Sequence, residues 1–207
     1  MATRKQRRKM TITVALLLLT GVVAFGSWAS GYLHAWVTAY LPVGPTAATA
    51  ESVAELDREM QEIGQLIRER QDGAAPAPTG EAAWPAPGSM AVTSEFGTRV
   101  HPILKVPKAH TGVDIGAPEG AEAVAVLGGR VIAVEALPAY GQIVVIDHGG
   151  KLASVYAHLS AVGVREGDRV ERGEPVGRVG STGAVTGPHL HFEVRQDGEP
   201  VDPGSVL

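Results

Sequence analysis

His189 and His191 stand two apart in the run VTGPHLHFEV, and His110 precedes Asp114 by four residues in AHTGVDIGAP. Side chains alternate across a strand, so residues two apart share a face, about 6.6–7 Å apart along it. His189 and His191 can therefore address one point, with Leu190 and Phe192 turned away into packing. His110 and Asp114 have the same even spacing in a segment that its Gly and Pro keep from being helical. The residue between them on that face, Gly112, has no side chain to block the gap. SVYAHLS repeats the pattern, with Tyr156 and His158 expected on one side. Two histidines and a carboxylate with an open fourth position are the donor set of a catalytic zinc. Such a metal polarises a carbonyl and lowers the pKa of bound water. A hydrolase also needs a group that exchanges protons near neutral pH, and histidine is the usual one. Spacing alone does not divide these histidines between holding a metal and moving protons.

Taken singly, each residue has a plainer role. His191 alone is a strand histidine satisfied by a local hydrogen bond, and His158 alone is a polar side chain. The combination on shared faces is what favours a metal. His101 precedes Pro102 and His148 precedes two glycines, so both read as local hydrogen-bonders, and His34 needs no special role. Glu193, two past His191, reads as support for the site rather than as a catalytic group. The chain has no cysteine, so disulfides and thiolate-held metals are excluded.

The elements that must position these residues occupy the C-terminal part, 89–207. Two β-rich runs in AEAVAVLGGRVIAVEA break at Gly128 and Gly129, and two more in GQIVVIDHGGKLASVYAHLS join at His148, Gly149 and Gly150. LHFEVRQDGEPVDP gives a strand, an Asp197–Gly198 turn and a short return. Helical periodicity is absent there, so an all-β domain is expected: an antiparallel sheet folded into a roll or barrel-like sandwich.

The rest of the chain divides into three. Residues 1–37 join five basic residues among the first ten to an uncharged apolar run at 12–32, long enough to span a bilayer as a helix. Trp28, Tyr32 and Trp36 stand where interfacial aromatics belong, and the basic side is expected in the cytoplasm, which places the C-terminal domain outside. Cleavage after the small residues Ser27 and Ala29 is the rival reading, and it too exports the domain. Residues 38–72 form a stalk: Val53, Leu56, Met60, Ile63 and Ile67 make a helical seam, Ser52 and Glu55 fit a capping box, and self-association through the seam is the alternative to a plain stalk helix. Residues 73–88 read as a mobile Ala/Pro linker. Without the basic cluster the chain is strongly acidic, which argues against nucleic acid as a partner.

FGTRVHPI, HTGVDIGAP, GQIVVIDHGG, YAHLS, REGDRVERGEPVGRVGSTG and TGPHLHFEV occur in that order over residues 96–194. This series resembles the lysostaphin/LytM-type zinc metallopeptidases, the peptidoglycan endopeptidases. The resemblance implies a β fold with a groove over one sheet. It implies His110, Asp114 and His191 as ligands of Zn2+, and His158 and His189 beside the metal as the catalytic pair. It implies peptidoglycan as the partner and cleavage of its cross-links or stem peptides as the activity, during remodelling of the wall. Family members that lost ligands act as activators of other hydrolases, so a non-catalytic wall-binding or activating module is the alternative. This chain keeps all five positions. It departs at Val185, commonly a small polar residue, and in ILKVPKAH, commonly a glycine-rich loop; both bear on the rim.

Overall fold

The computed structural model describes residues 47–71 and 75–207. The expected anchor at 12–32 lies outside them. Among the described residues no helix is long and apolar enough to cross a membrane.

Among the described residues one α-helix, α1 (Ala47–Arg70), precedes thirteen strands. The principal sheet is antiparallel. It contains β1 (Val92–Ser94), β4 (Val113–Ile115), β12 (Leu190–Gln196), β8 (Leu152–Leu159), β7 (Gly141–Gly149), β6 (Gly129–Leu137) and β10 (Arg169–Val170), in that order across the sheet. β13 (Glu199–Val201) returns along β12 after Asp197 and Gly198, both at positive φ, which matches the Asp-Gly turn read from the sequence. A second sheet holds β5 (Glu122–Val124), β11 (Pro175–Arg178) and β9 (Ala161–Val162), and β2 (Gly97–Val100) pairs with β3 (Pro107–His110). The expected antiparallel β architecture is present, but no barrel closes: β1 and β10 remain separate edges.

Both faces of the principal sheet are covered, and its central strands show why. β7 sends Val144 and Ile146 into one core with Tyr156, Phe192, Leu190 and the second sheet's Ala123 and Val176. It sends Ile143 and Val145 to the other face, with Ala153, Val155 and Ala157 of β8. A strand buried on both sides reads as a continuous apolar run, as IVVI does here.

The second face is capped by α1. Ile63 and Ile67 of its seam are fully buried against that face, with Leu56 partly so. Burying each isoleucine contributes about 1.5–3 kcal/mol. The seam read as a free-standing stalk is thus consumed inside the domain, because the sheet's second apolar face requires a partner. The helix also starts earlier than the expected capping box, so Ser52 lies inside it rather than at its N-cap.

The Ala/Pro stretch departs from the mobile linker expected. Gly150 N–H bonds Ala75 O, Ala83 N–H bonds Val126 O, and Val124 N–H bonds Pro85 O. Ala86 is buried and Trp84 packs on the first core. Alanine and proline lose little side-chain freedom when ordered, which favours such a strap.

Candidate metal centre

β12 pairs with β4 so that His191 stands directly opposite Asp114. His110 ends β3. Between it and β4 the chain crosses close over β12: a Cβ on Gly112 would lie 2.2 Å from Phe192 O. Gly112 is required for that crossing. His110 and Asp114 therefore converge from two strands, not by alternation along one.

Three donor atoms meet. His110 Nε2 lies 3.1 Å from Asp114 Oδ1 and 3.1 Å from His191 Nδ1, and His191 Nδ1 lies 2.9 Å from Asp114 Oδ1. All three residues are buried. The far nitrogen of each ring faces an acceptor: His110 Nδ1 is 2.7 Å from Glu95 O, and His191 Nε2 is 3.0 Å from Glu193 Oε1. A carbonyl and a carboxylate only accept, so the ring protons belong on those far nitrogens. With the rings neutral, the facing atoms are two imidazole lone pairs and a carboxylate oxygen, which repel unless positive charge, a proton or a metal ion, lies among them. The group fits a metal ion on its donor chemistry, with ligand atoms all within 4.8 Å of one another. The electrostatics express the same demand. Burial opposes charge on His191, yet its bonds to Asp114 and Glu193 lift it to about 9. Burial would raise the Asp114 carboxyl, but His110 and His191 hold it well below the usual carboxylate range.

His158 reaches the site by an irregularity. Between the pairs Gln142–Leu159 and Val144–Tyr156 the β7–β8 register shifts, and His158 adopts φ of 62°. The bulge reverses the alternation, so Leu159 joins Tyr156 in the first core while His158 turns to the site. Tyr156 and His158 do not share a side, contrary to the even spacing. Tyr156 is buried, accepting from Val126 N–H and Ser154 Oγ–H. The His158 ring lies tilted with its centroid 4.8 Å from that of His189 and edge-on at 5.7 Å from that of His191, with Nδ1 at 2.9 Å from Thr182 O. Burial, then the charges of His191 and His189, lower its pKa to about 3. His189 does face the same point as His191. Its Nε2 is 3.6 Å from Asp114 Oδ1, and its Nδ1 is 2.9 Å from Gly187 O.

Glu193 supports His191 and is itself fully buried. Its Oε1 accepts from Tyr140 Oη at 2.8 Å and from Thr111 Oγ1, and its Oε2 accepts from Arg195 Nε at 2.6 Å. Burial would raise its pKa, but Arg195 and His191 depress it below the ordinary range. Arg99 Nη2 donates to Asp114 Oδ2 at 3.1 Å. Of these supports, Arg195 was missed, although its even spacing from His191 and Glu193 on one strand face could have found it. Tyr140, Thr111 and Arg99 carried no sequence signal. His101 and His148 are local hydrogen-bonders, as expected: the former accepts from Leu104 N–H, and the latter bonds Gly128 O and Ser154 Oγ. A cleft of about 580 Å³ opens onto the cluster, walled by α1 at Glu55, by the β2–β3 hairpin at Ile103, and by Val185.

Residues 108–203 match the model of Peptidase family M23. Over 115 residues the chain is 46% identical to the DD-carboxypeptidase/endopeptidase Mpg of Neisseria meningitidis serogroup B, covering 56% of this chain and 26% of that protein. Over 178 residues it is 33% identical to the murein hydrolase activator EnvC of Escherichia coli, covering 75% of this chain and 41% of that protein. The chain thus spans well under half the length of either relative. A zinc-containing peptidase of Vibrio cholerae superposes with a TM-score of 0.55 at 35% identity, over 62% of this chain and 39% of that one.

Proposed function

The chain belongs to peptidase family M23, and from that premise we propose that it is a zinc-dependent endopeptidase that hydrolyses peptide cross-links or stem peptides of peptidoglycan. The observation that carries the reading is the convergence of His110, Asp114 and His191, whose three facing donor atoms call for positive charge among them and have the composition of a metal-ligand set. The resemblance to a zinc-containing peptidase and to a DD-carboxypeptidase/endopeptidase supports the metal and the hydrolysis, and that to a murein hydrolase activator supports the wall as substrate.

His110 Nε2, Asp114 Oδ1 and His191 Nδ1 would hold the ion. When bound, zinc supplies Lewis acidity to a carbonyl and to water. His158 would do the proton work on one side: with its Nδ1–H donated to Thr182 O, its Nε2 lone pair is the one that can accept the proton of the attacking water. His189 donates its Nδ1–H to Gly187 O, and once its Nε2 is also protonated it would donate from that atom to the developing oxyanion and hand the proton to the departing amine. The cleft admits an extended peptide, and the direct link between D-alanine and a diamino acid is the bond we favour over a glycine bridge. We place the protein in the cell membrane through residues 12–32, with the domain on the outer side; the basic flank and apolar run support that orientation.

The similarity to an activator favours one rival, a non-catalytic module using the same cleft. The complete donor set argues against it. Purified protein loaded with zinc and incubated with peptidoglycan is expected to release new amino termini, and mass spectrometry of the muropeptides names the bond. Zinc-retaining protein that releases none would leave the activator reading standing instead.

A further inference from the structure

The family match begins at residue 108, yet a side chain far upstream of it is built into the site. Glu59 of α1 is 3% exposed. Its Oε1 accepts from Ala139 N–H at 2.9 Å, and its Oε2 accepts from Ala139 N–H and Tyr140 N–H, each at 3.1 Å. Those two amides lie on the β6–β7 connection, whose residue Tyr140 touches both halves of the site. Its carbonyl accepts from His158 N–H at 3.0 Å, at the bulge that aims that ring. Its hydroxyl donates to Glu193 Oε1 at 2.8 Å, and its ring stands edge-on to His191 with centroids 5.6 Å apart. The next residue of α1, Met60, accepts through its carbonyl from Arg195 Nη1 at 3.1 Å, and Arg195 is the guanidinium that pairs with Glu193. Gly64, one turn on, lets the helix seat closely: a Cβ there would come within 2.9 Å of Gly198 O.

We propose that Glu59 is a positioning residue of the metal centre, holding the Tyr140 loop in the place from which it orients His191 and His158. The chemistry of the contact is specific. Two backbone donors sharing a buried pair of oxygens need an acceptor that carries no N–H of its own. A glutamine at 59 turns one amino group toward these amides and loses part of the clamp. A buried amide left without a partner is costly enough to shift the loop. Helix α1 is then a component of the catalytic unit, and the inference rests on the zinc reading given above.

The test measures zinc affinity of the full chain by competition with a chromophoric chelator, together with the visible spectrum of the cobalt-loaded protein. Outer supports of a metal ligand typically contribute about 10- to 100-fold in affinity. Glu59→Ala, acting one contact further out, is expected near the low end, about 10-fold, with an altered cobalt spectrum. Glu59→Gln should fall between it and the parent. Tyr140→Phe should weaken zinc about 10-fold, and adding Glu59→Ala to it should weaken zinc little further, because the loop reaches the ligand His191 mainly through the Tyr140 hydroxyl on Glu193, which both variants disturb. Unchanged affinity and spectrum in folded Glu59→Gln, or fully additive losses in the double variant, would overturn the proposal. A role confined to stability would lower the melting temperature and leave both readouts unmoved. The parent protein supplies an arm that needs no variant. Coupling is reciprocal, so zinc must slow hydrogen exchange of the Ala139 and Tyr140 amides; equal exchange with and without zinc overturns the inference. Failure of the parent to retain zinc is a different result, and it removes the endopeptidase reading itself.

Discussion

Replacing Glu193 by glutamine separates two jobs that one carboxylate performs. It accepts from His191 Nε2 and so fixes which nitrogen faces the metal, and it neutralises the buried guanidinium of Arg195. The first loss is expected to weaken zinc by about 10- to 100-fold, which is roughly 1.4–2.7 kcal/mol. The second strands a positive charge that is 1% exposed. Breaking a buried pair from one side typically costs about 3–5 kcal/mol of folding stability. Urea unfolding with zinc removed measures the second effect, and chelator competition measures the first. The double variant Glu193→Gln with Arg195→Met tells them apart, because an apolar partner removes the stranded charge. It should recover most of the lost stability and none of the lost zinc affinity. If glutamine at 193 binds zinc within about threefold of the parent, Glu193 does not hold the His191 tautomer. If the double variant recovers both quantities together, the zinc defect reflects instability alone, and the division of roles is wrong.

His110→Ala, Asp114→Ala and His191→Ala should each abolish zinc retention, whereas His158→Ala and His189→Ala should keep zinc and lose most hydrolysis; elemental analysis beside a peptidoglycan assay checks this, and equal zinc loss in all five would refute it. Ile67→Ala, at a fully buried position between α1 and the sheet, should cost about 2–5 kcal/mol in urea unfolding; a loss under about 0.5 kcal/mol would mean that the helix does not seat there. Burial lowers the pKa of His148, although its bond to Gly128 O opposes this. The neutral ring is therefore favoured in the folded state, and its stabilisation is complete above about pH 6.5 and lost as pH falls below that. The parent should lose up to about 1.4 kcal/mol per pH unit more than His148→Gln across that acid window, and parallel stability curves would rule this out.

How much was legible follows from what each signal depends on. The strands and hairpins were readable because β7, β8 and β12 carry apolar runs bounded by glycine turns, a local property. His189 and His191 were readable because alternation holds from the isolated bridge at His189 into β12. His158 was misplaced relative to Tyr156 because alternation fails at a bulge, and a single residue at φ of 62° leaves no mark on hydrophobic spacing. His110 and Asp114 were paired correctly for an incomplete reason: the even spacing fits, but a Gly112 crossing over Phe192 brings them together from two strands. Tyr140 and Glu59 were invisible because their partners lie 53 and 80 residues away along the chain. The helix seam was correctly seen as apolar, yet periodicity states only that a face must be covered, not by what.

The same physics explains why a site this small draws on so much of the chain. Three donor atoms within 3.1 Å of one another suffer repulsion unless a proton or a metal ion lies among them. Flexible side chains would relieve it by turning away. Here each has been denied that freedom by a bond on its far side: His110 on Glu95 O, His191 on Glu193, Asp114 on Arg99. Glu193 in turn needs Thr111, Tyr140 and Arg195, and Arg195 needs the carbonyl of Met60. Preorganisation of the donors therefore extends outward until it meets an element rigid enough to end it. On this face of the sheet that element is α1, fastened by Ile63 and Ile67. A chain shortened to the strands alone would expose the apolar face those residues cover and release the outermost bonds, so its zinc affinity and its stability should fall together. A version beginning at residue 75 that binds zinc as tightly as the full chain would show that the strands preorganise the site unaided.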